Sequence, residues 1–213
     1  MLAEEAEGAP GGIDVLVGAH EPALHIADGD TVLVTVGDSG PGIAFEDPYD
    51  VFAEAGYQQT IVSPKGGLCP LEPRSLTFPN YDKSAKAWKA DDAKMALLAN
   101  TAAPADIDSA DFDAIYFTGG HAVMFDFPNS VGLQRISREI FERGGVVSSV
   151  CHGYAGLLNT TLSDGSLLVA GRKLTGFSWT EEVVARVDKL VPYYVEEEMK
   201  KRGALYEKGL IPF

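Results

Sequence analysis

Residues 112 to 153, FDAIYFTGGHAVMFDFPNSVGLQRISREIFERGGVVSSVCHG, constrain the fold more than any other part of the chain. FDAIYFTGG is a short apolar run closed by a glycine pair, the pattern of a buried strand. SVGLQRISREIFERGG sets apolar Val131, Leu133, Ile136, Ile140 and Phe141 at helical spacing and stops at glycines. VVSSV is strand-like again. A strand, a helix and a strand of these lengths form a crossover unit, which joins parallel strands of one sheet.

The rest of the chain repeats this alternation. TVLVTV reads as a buried strand ending at Gly37. DPYDVFAEAG follows as a helix, with Val51, Phe52 and Ala55 on one face, Pro48 near its start and Gly56 after its end. YQQTIVSP is a strand, residues 68–90 read as an irregular excursion, and DDAKMALLANT is a helix whose Asp-rich first turn suits the helix dipole. Beyond VVSSV, GYAGLLNTTL reads as a helix and SLLVAGRKLTGFS as a β pair around Gly171. EEVVARVDKLVPYYVEEEMKKRGA holds two helical stretches separated by Pro192. Residues 1–12 read as a flexible tail, and residues 13–213 as a single α/β domain with a mostly parallel central sheet.

Bulk properties narrow the function. The formal net charge of −14 disfavours nucleic acid and anionic membrane as partners. No apolar run approaches the ~18 residues that span a bilayer. The acidic start MLAEEAEGAPGG lacks the order of a signal peptide, and two cysteines make a poor disulfide framework. Together these imply a reducing, cytoplasmic setting.

In open parallel sheets ligands bind beyond the carboxyl ends of the strands. Two loops lie there: Gly119-Gly120-His121 and Cys151-His152-Gly153. Ser149 two residues before Cys151 and Gly153 two after it give the small–x–nucleophile–x–Gly pattern of a strained strand-to-helix turn. Backbone N–H groups at the start of the following helix favour a thiolate there. The His152 amide and the Gly119–Gly120 loop are candidate donors to an oxyanion. Cys151 as an inert core thiol is the alternative reading. Cys69, in GGLCPLEP, has no adjacent base and reads as loop packing. His20 and His25 carry no motif, and no metal site is expected.

Five stretches, AGYQQTIVSPKGG, FDAIYFTGGHAVMFDFPNS, VVSSVCHGYAGLLN, LSDGSLLVAGRKLTGFSWTEE and VPYYVEEEMKKRGALYEKG, resemble the DJ-1/PfpI superfamily in the family's order, from about residue 31 onward. The Hsp31-like branch is the best match. The resemblance implies a flavodoxin-like three-layer sandwich of the class I glutamine amidotransferase-like kind. It also implies a Cys-His-acid triad of Cys151, His152 and Glu182, with Glu181 as the competing neighbour, and His121 at the pocket rim.

The activity implied is of the cofactor-free glyoxalase III type, turning a small 2-oxoaldehyde such as methylglyoxal into a 2-hydroxy acid. Cys151 adds to the aldehyde, and His152, oriented by Glu182, moves the proton between the two carbons. A cysteine hydrolase of an amide, nitrile-like or glycated substrate is a second reading. A holding chaperone or oxidative-stress sensor is a third. Two departures from the family pattern stand out. Ala44 occupies the place of a glutamate that usually reaches the cysteine, with Glu46 or Asp47 as the alternative carboxylates two and three residues on, and the chain ends at YEKGLIPF where relatives continue into a final strand. An uncovered sheet edge there, with the self-association usual in the family, implies a homodimer.

Overall fold

A computed structural model describes residues 31–35, 46–71, 73–76 and 83–209. The expected tail at 1–12, together with His20, His25 and Ala44, lies outside the described residues. In chain order the elements are β1 (Thr31–Thr35), α1 (Glu46–Glu54), β2 (Gln58–Val62), α2 (Lys83–Lys89), α3 (Asp92–Ala99), β3 (Ala114–Phe117), α4 (Val123–Asp126), α5 (Val131–Glu142), β4 (Val146–Ser149), β5 (Lys173–Leu174), α6 (Trp179–Val184), α7 (Val195–Lys201) and β6 (Leu205–Tyr206). A 3₁₀ helix spans Cys151–Leu157.

Strands β2, β1, β3 and β4 lie side by side in that order, all parallel. Successive side chains along a strand point to opposite faces, and the core divides accordingly. Leu33, Ile115, Phe117 and Val147 face a cluster containing Leu133, Ile136 and Ile140 of α5, Val123 and Met124 of α4, and Val195 and Met199 of α7. Val32, Val34, Ala114 and Val146 face the other way, onto Phe52 of α1, Trp88 of α2 and Leu98 of α3. Helices therefore cover both faces of a parallel sheet, the three-layer architecture expected for the chain.

Four local readings are corrected. Residues 68–90 are not irregular throughout: a 3₁₀ turn spans Pro73–Leu76, and α2 forms although its sequence KSAKAWK shows no periodicity. Trp88, 5% exposed, packs that helix into the core. No β pair forms around Gly171. Leu168 and Val169 turn into the core, while β5 pairs in parallel with β6 from the far end of the chain. The helix after the elbow begins at Cys151 itself and is 3₁₀ rather than α. Finally, Val131 is 75% exposed, because it sits in the first turn of α5, just after the N-cap Ser130.

Burial separates two members of the apolar set of α5. Ile136 is fully buried, so Ile136→Ala should lower unfolding free energy by about 2–5 kcal/mol. Val131→Ala should change it by less than about 0.5 kcal/mol. Denaturant titration of the two variants tests this; equal losses would contradict the assigned packing.

Candidate active site

Register brings the two sequence-marked loops together. Phe117 of β3 pairs with Ser149 of β4, so both strands run out at the same level. Gly119 and Cys151 follow at equal distance, and a Cβ built on Gly119 would lie 2.7 Å from the Cys151 Cβ and 3.1 Å from the Val150 carbonyl oxygen. Only glycine allows that approach. Val150 is still extended, and the chain reverses abruptly at Cys151, whose φ is +54°. For a residue with a side chain, left-handed backbone costs about 1–2 kcal/mol. The Gly153 N–H donates to the Val150 carbonyl at 2.7 Å, and the Phe177 N–H donates to the Cys151 carbonyl at 3.1 Å. These bonds hold the turn from both sides. Gly153 itself packs against β3, where any Cβ would collide with the Phe117 carbonyl oxygen and lie 2.6 Å from that of Thr118.

The reversal points the sulfur at its neighbour. Cys151 Sγ lies 3.2 Å from His152 Nδ1, and His152 Nε2 lies 2.7 Å from Glu182 Oε1. The second carboxylate oxygen, Oε2, is 3.2 Å from His121 Nε2. Glu182 thus joins two imidazoles, whose ring centroids are 4.2 Å apart. Phe177 lies against His152 with centroids 4.6 Å apart. His152 is completely buried and Glu182 nearly so, whereas the His121 side chain is 36% exposed.

Burial raises a carboxyl's pKa, but hydrogen bonds from His121 and His152 outweigh it at Glu182 and hold its pKa down at about 2. Burial likewise opposes charge on His152, yet hydrogen bonds to Cys151 and Glu182 and their negative charge push its pKa up to about 9. The interior of the site is therefore an ion pair across neutral pH.

The first turn of α6 decides which of two adjacent glutamates enters this pair. Ser178 is the N-cap, and its side chain and that of Glu181 close a capping box. Glu181 is consumed at the helix start, and Glu182, one position on, turns inward. The Trp179 N–H donates to Glu196 Oε2 at 2.9 Å, tying the same turn to α7. Sequence reasoning singled out neither Phe177 nor Glu196. Both act through long-range contacts, and an acid in the run EEE carries no signal that it is buried.

Comparison with known proteins identifies the family. The DJ-1/PfpI family model matches residues 30–206. The chain belongs to the DJ-1/PfpI family. Glyoxalase 3 of Candida albicans is 30% identical over 168 residues, 75% of this chain and 70% of that protein. The glutathione-independent glyoxalase HSP31 of Saccharomyces cerevisiae is 32% identical over 168 residues, again 75% and 70% of the two chains. The crystal structure of glyoxalase III from Candida albicans superposes with a TM-score of 0.73 at 26% identity, covering 86% of this chain and 84% of that one.

On this DJ-1/PfpI scaffold the structure brings together Cys151, His152, Glu182, His121 and the Gly119–Gly120 loop. Gly120 has φ +100°, a conformation suited to glycine. Gly153 contributes close packing, since its N–H is already given to Val150. His121, His152 and Glu182 each offer a ligand atom, all within 4.8 Å of one another, a spacing compatible with a metal ion; here each imidazole Nε2 is instead paired with a carboxylate oxygen.

Two outcomes follow. Gly153→Ala must displace backbone of β3 or the elbow, and should cost about 1–3 kcal/mol by denaturant titration; unchanged stability would contradict the packing. The second outcome concerns pH. The raised His152 pKa gives stability that is complete below pH 6.5 and lost as pH rises through about 9. The lowered Glu182 pKa gives stability that is present above pH 4.5 and lost as pH falls through about 2. The melting-temperature gap between wild type and Glu182→Gln should therefore be widest between pH 4.5 and 6.5 and close towards pH 9. A gap independent of pH would contradict the buried pair.

Proposed function

We propose that this protein is a glutathione-independent glyoxalase, in which Cys151 is the nucleophile, His152 its imidazolium partner and Glu182 the anchor of that imidazole. The observation that carries the reading is the relay from Cys151 Sγ to His152 Nδ1 at 3.2 Å and from His152 Nε2 to Glu182 at 2.7 Å, built on a strained turn. The relatives named as glyoxalases support the choice of substrate class.

The chemistry suits such a site. An imidazolium N–H facing a sulfur favours the thiolate, which is the reactive form of cysteine. The thiolate adds to the aldehyde carbon of a 2-oxoaldehyde: the S–C bond forms and the carbonyl π pair moves onto oxygen. Amides of His152 and of the Gly119–Gly120 loop stabilise that oxyanion, each well-placed donor contributing about 3 kcal/mol. The imidazolium N–H of His152 then protonates it to the hemithioacetal hydroxyl, and the proton returns to His152 when the product acid ionises. Transfer of the aldehyde-carbon proton to the neighbouring carbon turns the hemithioacetal into a thioester. Water then attacks the thioester, the C–S bond breaks, the thiolate departs and a 2-hydroxy acid is released. One carbon is oxidised and its neighbour reduced within the same molecule, so the balance closes with water as the only co-reactant.

Incubation with methylglyoxal should yield lactate without added glutathione. Cys151→Ser should lower kcat/KM by about 10³-fold or more, and Glu182→Gln by about 10²–10⁴-fold. Absence of Cys151-dependent lactate would overturn the glyoxalase reading. An acyl-enzyme on Cys151 formed from small amides or esters would put a cysteine hydrolase in its place.

A further inference from the structure

Moving a proton from one substrate carbon to the next needs a base on the open side of the sulfur, able to reach both carbons. His152 is poorly placed for this. Its side chain is 1% exposed, one ring nitrogen faces Sγ, and the other is bound to Glu182. Burial works against its charge, but the hydrogen bonds it donates to Cys151 and Glu182 keep it protonated up to about pH 9. Glu182 is buried with both oxygens engaged by imidazoles. Ala44 has no titratable side chain.

His121 differs in its exposure and in its second ring nitrogen. Its ring packs 4.2 Å from that of His152, its side chain is 36% exposed, and its Nε2 lies 3.2 Å from Glu182 Oε2. An ionised carboxylate is acceptor-only, so the hydrogen bond places the proton on Nε2. In the neutral ring the other nitrogen, Nδ1, then carries a free lone pair. Among the described residues no hydrogen bond engages that Nδ1.

We propose that His121 is a second catalytic imidazole, its tautomer fixed by Glu182, and that its Nδ1 carries the proton between the two substrate carbons. This rests on the glyoxalase reading. In the hemithioacetal, Nδ1 takes the proton from the sulfur-bearing carbon, and the C–H electron pair becomes a C=C bond to the neighbouring carbon. The π pair of that neighbour's carbonyl moves onto its oxygen, which receives the proton of the adjacent hydroxyl. Nδ1–H then protonates the second carbon with the C=C pair, and the first oxygen closes the thioester carbonyl. Atoms and electrons balance, and the imidazole is regenerated. His121 thereby takes the proton-carrying part that the family resemblance implies for His152.

The test is His121→Gln, which keeps an amide N–H for Glu182 but offers no base. With methylglyoxal, kcat should fall by about 10²–10⁴-fold. The rate of Cys151 alkylation by iodoacetamide should stay within about threefold of wild type, because the sulfur and His152 are untouched. A hydroxylamine quench during turnover should yield lactohydroxamate from the wild-type thioester and none from the variant, whose adduct stalls as hemithioacetal. Added imidazole should restore part of the turnover of His121→Ala. Turnover of His121→Gln within about threefold of wild type would overturn the proposal. So would a loss of turnover matched by an equal loss of alkylation, which would reduce His121 to a structural role. No lactate from the wild type would instead overturn the glyoxalase reading itself, and this proposal with it.

Discussion

The site depends on one backbone torsion. Cys151 is held at φ +54°, where a residue with a side chain is strained, and the strain aims the sulfur out of the sheet and at the adjacent imidazole. The neighbourhood over-determines that geometry. Gly119 lets the loop after β3 touch the elbow, Gly153 lets the 3₁₀ helix sit on the end of β3, and the amides of Gly153 and Phe177 grip the turn on either side. Parallel pairing of Phe117 with Ser149 sets the level at which this happens. Without that register the two loops would not meet.

The electrostatics build on the same frame. A buried imidazole and a buried carboxylate are costly to leave unpaired, and here each polar atom finds a partner. Both His152 nitrogens and both Glu182 oxygens are engaged. The shared carboxylate joins two unequal histidines: His152 is sealed and His121 reaches solvent. That asymmetry, which follows from burial and hydrogen bonding, is the basis of the distinct roles proposed for them.

Much of this was legible in the sequence. The short apolar runs of β1, β3 and β4, alternating with helical segments and glycine stops, marked the parallel sheet, and the Ser149–Cys151–Gly153 spacing marked the elbow. The third member was readable only to within one residue. Glu181 and Glu182 sit side by side, and the deciding signal was the Ser178-x-x-Glu181 capping box, which removes Glu181 from the site. Other features were not legible. The pairing of β5 with β6 joins segments about thirty residues apart, and Glu196 reaches Trp179 across 17 residues. The 3₁₀ helix after Cys151 lies with Gly153 and Gly156 pressed onto Phe117, a contact made across the sheet. Contacts made across the fold leave no local pattern to read.

The charge on His152 is where the account is most exposed. Nitrogen-15 NMR of the histidine rings, assigned by comparison with His121→Gln, reads it directly. The account predicts a doubly protonated His152 at neutral pH that titrates at about 9, and a marked fall in that value in Cys151→Ser. A ring that is neutral at pH 7, or one indifferent to the loss of the sulfur, would contradict it.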